Sequence, residues 1–291
     1  MKGQRRKKIK WTGWSMVLAA SLFVLIFSYI PMIQAFILSL QTGKGANLKF
    51  AGFDNYIRML QDSTFWVTLG NTFYAVIQIP IMILIALVTA VLLNDSRLKG
   101  RGIYRTCIFL PCVTSMVSYA ILFKNIFSVD GVVNQLLLKL NLIEEAIPFV
   151  LDKNWAKVVI IFALIWRYTG YYMIFFLSAM QNIDSSVYEA AKMDGCNFRQ
   201  TFFKITMPLL KPIIFLTGIM ALNNTLQLFD EVVNLTNGGP GNATRTISEY
   251  IYDLSFVYVP SYGYAAAVSY VVLILIIILT IVQKGMTGEK K

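Results

Sequence analysis

Any chemistry in this chain has to be done without histidine, since none of its 291 residues is one. The three cysteines, Cys107, Cys112 and Cys196, form no CxxC pair. Histidine-based zinc sites, Ser-His-Asp or Cys-His nucleophiles and a disulfide framework are therefore excluded. No GxxxxGK[ST] phosphate loop occurs: Gly43-Lys44-Gly45 is too short, and Asn237-Gly238-Gly239-Pro240-Gly241 lacks the lysine. ATP, if used, is hydrolysed by another polypeptide. What remains suits recognition better than bond cleavage. Asn223, Asn224, Thr225 and Gln227 gather neutral amides and a hydroxyl past Pro212. Such groups meet sugar hydroxyls without the cost of desolvating a charge, although membrane helices use the same residues to bond to one another. Arg167 follows Trp155 by roughly 18 Å of helix, which puts it near mid-bilayer. An arginine there costs about 2.5–3.5 kcal/mol on insertion scales and must face protein, water or a solute. It could meet a substrate or bond to a neighbouring helix.

The elements that position these residues are membrane spans. The chain is 57% hydrophobic and 14% charged, with mean hydropathy +0.62. A soluble domain would have roughly 45–50% and 25%. Apolar runs bounded by polar or turn residues predict six helices near 14–40, 69–93, 103–127, 156–180, 209–229 and 263–283. The fold class is all-α and polytopic: a basic tail over 1–13, a first helix and external loop over 14–68, a transmembrane core over 69–283 and a second tail over 284–291. The first apolar run is too long for a signal-peptide core and is retained. The net charge of +11 follows topology. Lys and Arg concentrate in the N-terminal tail, the 94–105 loop, the 181–212 segment and the C-terminus, whereas Asp and Glu concentrate in the alternate loops. This predicts cytoplasmic N- and C-termini and leaves no basic stripe for nucleic acid. Trp14, Trp66, Trp155, Tyr250, Tyr252 and Tyr258 lie near span ends as interfacial anchors. No Asp or Glu falls within the six apolar cores, since Asp230 and Glu231 follow the fifth. That counts against a proton-coupled carrier.

The 184–208 segment runs from Asp184 to Pro208 between spans four and five. Ser186 and Glu189 fit a capping box, Gly195 suits a helix stop, and Phe198, Phe202 and Ile205 recur at helical spacing. The expectation is a short helix, a sharp turn and a second amphipathic helix. Small Ala190 and Ala191 leave a low surface beside the Glu189 carboxylate, available to a partner's arginine. Physics alone allows an ordinary connecting helix as readily as a docking knob.

The pattern Glu189-Ala190-Ala191-x-x-Asp194-Gly195, followed by Phe202, Ile205 and Pro208, resembles the EAA loop of binding-protein-dependent ABC importer permeases. Cys196 replaces the signature's usual alanine. Leu110-Pro111, Trp166 to Gly170, the external Leu235 to Pro240 stretch and Gly263 to Ala267 resemble the carbohydrate branch, the family of the maltose permease subunits. The resemblance implies the type I importer fold in the bacterial cytoplasmic membrane. It also implies a companion permease, non-identical in this branch, two ATPase subunits that hold ATP and Mg, and an extracytoplasmic solute-binding protein. No cofactor is implied in this chain. Tyr188, Glu189, Ala190, Ala191, Asp194 and Gly195 would couple to the ATPases. Motif alignment places Ala221, Thr225 and Leu228 of span five, Arg167 and Tyr171 of span four, and Cys112 and Met116 of span three at saccharide-contact positions, beside Asn224 and Gln227 of the polar patch. Several differ chemically from the maltose pattern, which points away from maltose itself. The loop at Asn237 to Asn242 would contact the binding protein or simply connect spans. The rival readings are a glycerol-phosphate importer, for which Arg167 could bind an anion, a secondary carrier, a membrane enzyme and a non-transporting scaffold.

Overall fold

In a computed structural model, which describes residues 2–44, 47–95 and 97–286, four helices are long and apolar enough to cross a membrane. They are span one (Gly13–Ser39), span two (Ser63–Asn94), span four (Lys153–Met180) and span six (Tyr262–Gly285). Two bent pairs supply spans three and five. Span three is Arg101–Val113 with Met116–Ile126, turned by 98°, and span five is Phe198–Leu209 with Lys211–Leu226, turned by 71°. The sequence predicts span three as one helix over 103–127, so its break is a correction, whereas the break in span five falls between the amphipathic helix carrying Phe198, Phe202 and Ile205 and the span predicted from 209; both have a local cause. In span three the backbone turns extended at Thr114 (ψ 149°) and Ser115 (ψ 136°), just after Pro111. In span five Leu210 leaves helical geometry (ψ 1°) between Pro208 and Pro212, whose rings remove two backbone donors.

Two compact units are defined by their internal contacts. One comprises residues 1–62 and 251–273, the other 63–250 and 274–291. In the first unit a short antiparallel hairpin joins the helices, β1 (Gln41–Lys44) with β2 (Asn47–Phe50), in which Gln41 faces Phe50. Asn55 ties it down by donating from Nδ2 to the carbonyls of Ser39 at 2.9 Å and Gln41 at 2.7 Å. Gly263 is required where span six begins, because a Cβ there would sit 1.9 Å from the Gln41 carbonyl oxygen. Tyr264 donates to Asp62 at 2.6 Å, with the Arg58 guanidinium 4.2 Å from its ring centre. Of the predicted anchors, Trp14, Trp66, Trp155, Tyr252 and Tyr258 are exposed, but Tyr250 is buried and belongs to the packing instead.

In the second unit spans two and four pack along their lengths. Ala86, Ala90 and Ala163 are fully buried, and their small side chains let larger residues such as Tyr172, Met173 and Phe176 fill the seam. A second cluster gathers Tyr119 and Phe123 of span three, Val159 to Leu164 of span four and Leu228 to Leu235 after span five. The two clusters flank the mid-length of span four, where Arg167, Tyr168 and Tyr172 lie.

Candidate functional site

Span four brings the polar residues together because it passes close to the others. The tightest approach is at Gly170, where a Cβ would lie 2.0 Å from the carbonyl oxygen of Ile108 in span three. Only glycine permits this contact. Three residues earlier, buried Arg167 turns to the break in span three. Its Nη1 donates to the carbonyls of Pro111 at 3.4 Å and Thr114 at 3.3 Å, and its Nη2 also reaches Thr114 at 3.3 Å. The ring of Tyr119 lies 5.0 Å from the guanidinium. Thr114 adds a bond from its own hydroxyl to Pro111 at 2.7 Å. The arginine thus satisfies carbonyls that the bent helix leaves without intrahelical partners.

Beside this clasp is a cavity of about 270 Å³. Gln78 of span two, Met116 of span three, Tyr168 and Tyr172 of span four, and Asn224, Thr225, Gln227 and Leu228 at the end of span five all line it. Asp230 and Glu231, which open the short helix Asp230–Leu235, close one wall. Glu231 is buried and accepts a 2.6 Å hydrogen bond from the Tyr168 hydroxyl. Gln78 Nε2 donates to Thr225 Oγ1 at 3.1 Å. The sequence-predicted residues Met116, Asn224, Thr225, Gln227, Leu228 and Ala221 are therefore brought together. Cys112, Arg167 and Tyr171 are not in the wall: Cys112 is half-buried with a free thiol, Arg167 serves the helix break, and Tyr171 packs its ring on Tyr172 and Phe175. Sequence reasoning missed Gln78, Tyr168, Tyr172 and the inward return of Glu231. A glutamine within the apolar run of span two was the one available signal.

At the other end of spans two and four, the 184–208 segment folds as a helix over Ser185–Met193, a turn and a second helical stretch. Its cap differs from the expected Ser186/Glu189 box. Asp184 is the N-cap, accepting from the Ser186 N–H at 3.0 Å, and that bond holds the exposed carboxyl below the usual aspartate range. The capping box instead opens the second stretch, where Asn197 and Gln200 exchange bonds of 2.9 Å. Between them Gly195 adopts φ +72°, while Cys196 N–H reaches Ala191 O and Gly195 N–H reaches Lys192 O. This is the glycine-dependent helix stop with its two crossing bonds. Glu189, Ala190 and Asp194 are exposed, and Ala191 is buried. Tyr188 and Glu189 border a hollow of about 660 Å³ shared with Asn94, Asp95 and Arg97 after span two. Phe198 stacks on buried Phe202, and Ile205 is half-buried in a π-helical turn over Phe202–Thr206.

The 236–246 stretch is held by its own bonds. Asn237, Gly238 and Gly241 take positive φ, and the Gly239-Pro240 peptide is cis. Thr244 bonds to Thr236 and to the Gly239 carbonyl, each at 2.8 Å. Asn71 of span two holds the carbonyls of Asn242 and Arg245.

Apolar spans, two of them bent, a polar cavity lined by spans two to five and the residues that follow, and a capped helical loop between spans four and five define a membrane permease. Residues 72–288 match the family described as binding-protein-dependent transport system inner membrane component, and the chain belongs to that family. It is 49% identical over 282 residues to the lactose transport system permease protein LacF of Rhizobium radiobacter, covering 96% of this chain and 95% of that one. With the arabinooligosaccharides transport system permease protein AraP of Halalkalibacterium halodurans it shares 32% identity over 270 residues, 92% of this chain and 84% of the relative. Its fold matches a chain in the crystal structure of a bacterial ABC transporter involved in the import of the acidic polysaccharide alginate. The TM-score is 0.85 at 25% identity, covering 98% of this chain and 99% of the other.

Proposed function

We propose that the chain is one of two permease subunits that carry a saccharide across the bacterial cytoplasmic membrane, taking it from a solute-binding protein and drawing power from two separate ATPases. The observation that carries this reading is the cavity, where amide, hydroxyl and carboxylate groups from spans two, four and five face aromatic and aliphatic surface. Polar groups that bond to hydroxyls, beside apolar faces for C–H surfaces, suit a sugar. Relatives named for lactose and arabinooligosaccharide transport support the substrate class.

In this reading ATP and Mg stay on the partner ATPases, and the exposed Glu189, Ala190 and Asp194 with Tyr188 and Gly195 form the surface those ATPases grip. Ala191 packs beneath it. Both termini are cytoplasmic, as the distribution of Lys and Arg suggests. A non-identical companion completes the pathway. Met116, Asn224, Thr225, Gln227 and Leu228 contact the sugar, joined by Gln78, Tyr168 and Tyr172. Arg167 positions span three rather than touching the solute.

Because Asn224 and Gln227 are exposed to the cavity, replacing them should leave the packing intact. Uptake of labelled lactose by cells carrying Asn224→Ala or Gln227→Ala should fall by about tenfold, the scale of one lost hydrogen bond of ~1.5 kcal/mol, while co-purification of the ATPase is unchanged. Wild-type uptake of every sugar tried, in both variants, would remove the cavity from the pathway.

A further inference from the structure

The cavity wall is unequal in what it can give and take. Among the described residues lining it none is cationic, while Asp230 and Glu231 present two carboxylates. Glu231 uses one oxygen on the Tyr168 hydroxyl, and a carboxylate has about four lone-pair sites, so most of its accepting capacity is unspent. Gln78 is 4% exposed, and its Oε1 has no hydrogen-bond partner among the described residues, although its Nε2 is held by Thr225. The cation that comes near stands behind the wall. Arg167 lies 5.8 Å from the centre of the Tyr168 ring, with its Nη atoms committed to the Pro111 and Thr114 carbonyls.

From this imbalance we infer that the cavity accepts an uncharged saccharide and discriminates against one bearing carboxylate, sulfate or phosphate. This inference rests on the saccharide reading above and assigns its charge preference to Asp230 and Glu231. A neutral sugar donates through its hydroxyls, and bonds from hydroxyl to carboxylate are among the stronger ones available. An anionic sugar would bring like charge within a cavity of about 270 Å³ and find no cation lining it. Met82, Leu164 and the Tyr172 ring supply surface for C–H faces. The preference belongs to these side chains and not to the fold, since the same fold occurs in an importer of an acidic polysaccharide.

The test uses the intact complex co-purified with this chain, held in lipid nanodiscs without its solute-binding protein. Saturation-transfer NMR compares lactose, its carboxylated analogue lactobionate and its ammonium-bearing analogue lactosamine. Wild type should show stronger transfer to lactose than to lactobionate, while lactosamine, which meets Asp230 and Glu231 with opposite charge, should not be weakened. Glu231→Gln should weaken lactose about tenfold, the loss of one hydrogen bond to a charged group. Asp230→Asn should raise lactobionate, and the double variant should raise it further. Asp230 is exposed, so its variant keeps the test alive if Glu231→Gln does not fold. Transfer to lactobionate equal to or stronger than to lactose in wild type, lactosamine weakened as much as lactobionate, or lactobionate unmoved by Asp230→Asn, overturns the charge preference and leaves the saccharide reading standing. No transfer to any of the three overturns both.

Discussion

Arg167 shows how a residue's type can be legible while its task is not. Its predicted depth in the membrane was enough to require a partner, and the sequence left two, a solute or a neighbouring helix. The partner is the helix break at Thr114, which local pattern did not reveal because Thr114 and Ser115 lie inside an apolar run. Glu231 is the converse case. It follows the apolar stretch in sequence, yet it folds back onto Tyr168 and is buried. The amide patch at Asn224 and Gln227 was readable because polar residues are conspicuous in a span; the contribution of Gln78 needed a contact across 147 positions. Gly170 yields a prediction at this scale. Gly170→Ala must displace the Ile108 backbone, at a cost of about 1–3 kcal/mol by overpacking. Thermal unfolding of the detergent-purified variant should shift downward, whereas Gly102→Ala, at a helical position with open space for its Cβ, should not. Equal shifts would show that spans three and four yield freely at Gly170.

Among the elements, spans one, two, four and six were legible from hydropathy alone, to within a few residues at most of their ends. The break in three was not, because a bent pair and a straight helix share the same apolar content. Pro111 was the available signal, but proline in a membrane helix is tolerated often enough to leave the bend undecided. The turn at Leu210 falls at the boundary between the amphipathic helix at 198–205 and the span from 209. The hairpin at Gln41–Phe50 was missed for another reason: each strand has four residues, too few for alternation to register. The helix–turn–helix at 184–208 was read correctly in outline and wrongly at its cap. Its turn carries a clear expectation. Gly195 at φ +72° tolerates a β-branched side chain poorly, so Gly195→Val should cost about 1–2 kcal/mol locally. Hydrogen exchange over 185–206 should speed up and ATPase-coupled uptake should fall, with exchange in span four unaffected. Unaltered exchange in the loop would mean that the turn does not depend on glycine.

For the whole molecule, composition identified the environment and the 184–208 motif identified the family, while the two-unit organisation and the cavity came only from packing. Six spans, a polar cavity and a capped loop accompany membership in the binding-protein-dependent transport family. In the function proposed above, the exposed face of the Ser185–Met193 helix receives an ATPase. The most direct measurement places a photoreactive amino acid at Ala190, which is exposed, and irradiates native membranes before identifying the captured chain. A crosslink to a nucleotide-binding ATPase is expected, and it should be lost when Glu189→Lys is combined with the probe. A crosslink to lipid alone, or an ATPase crosslink indifferent to Glu189→Lys, would contradict it.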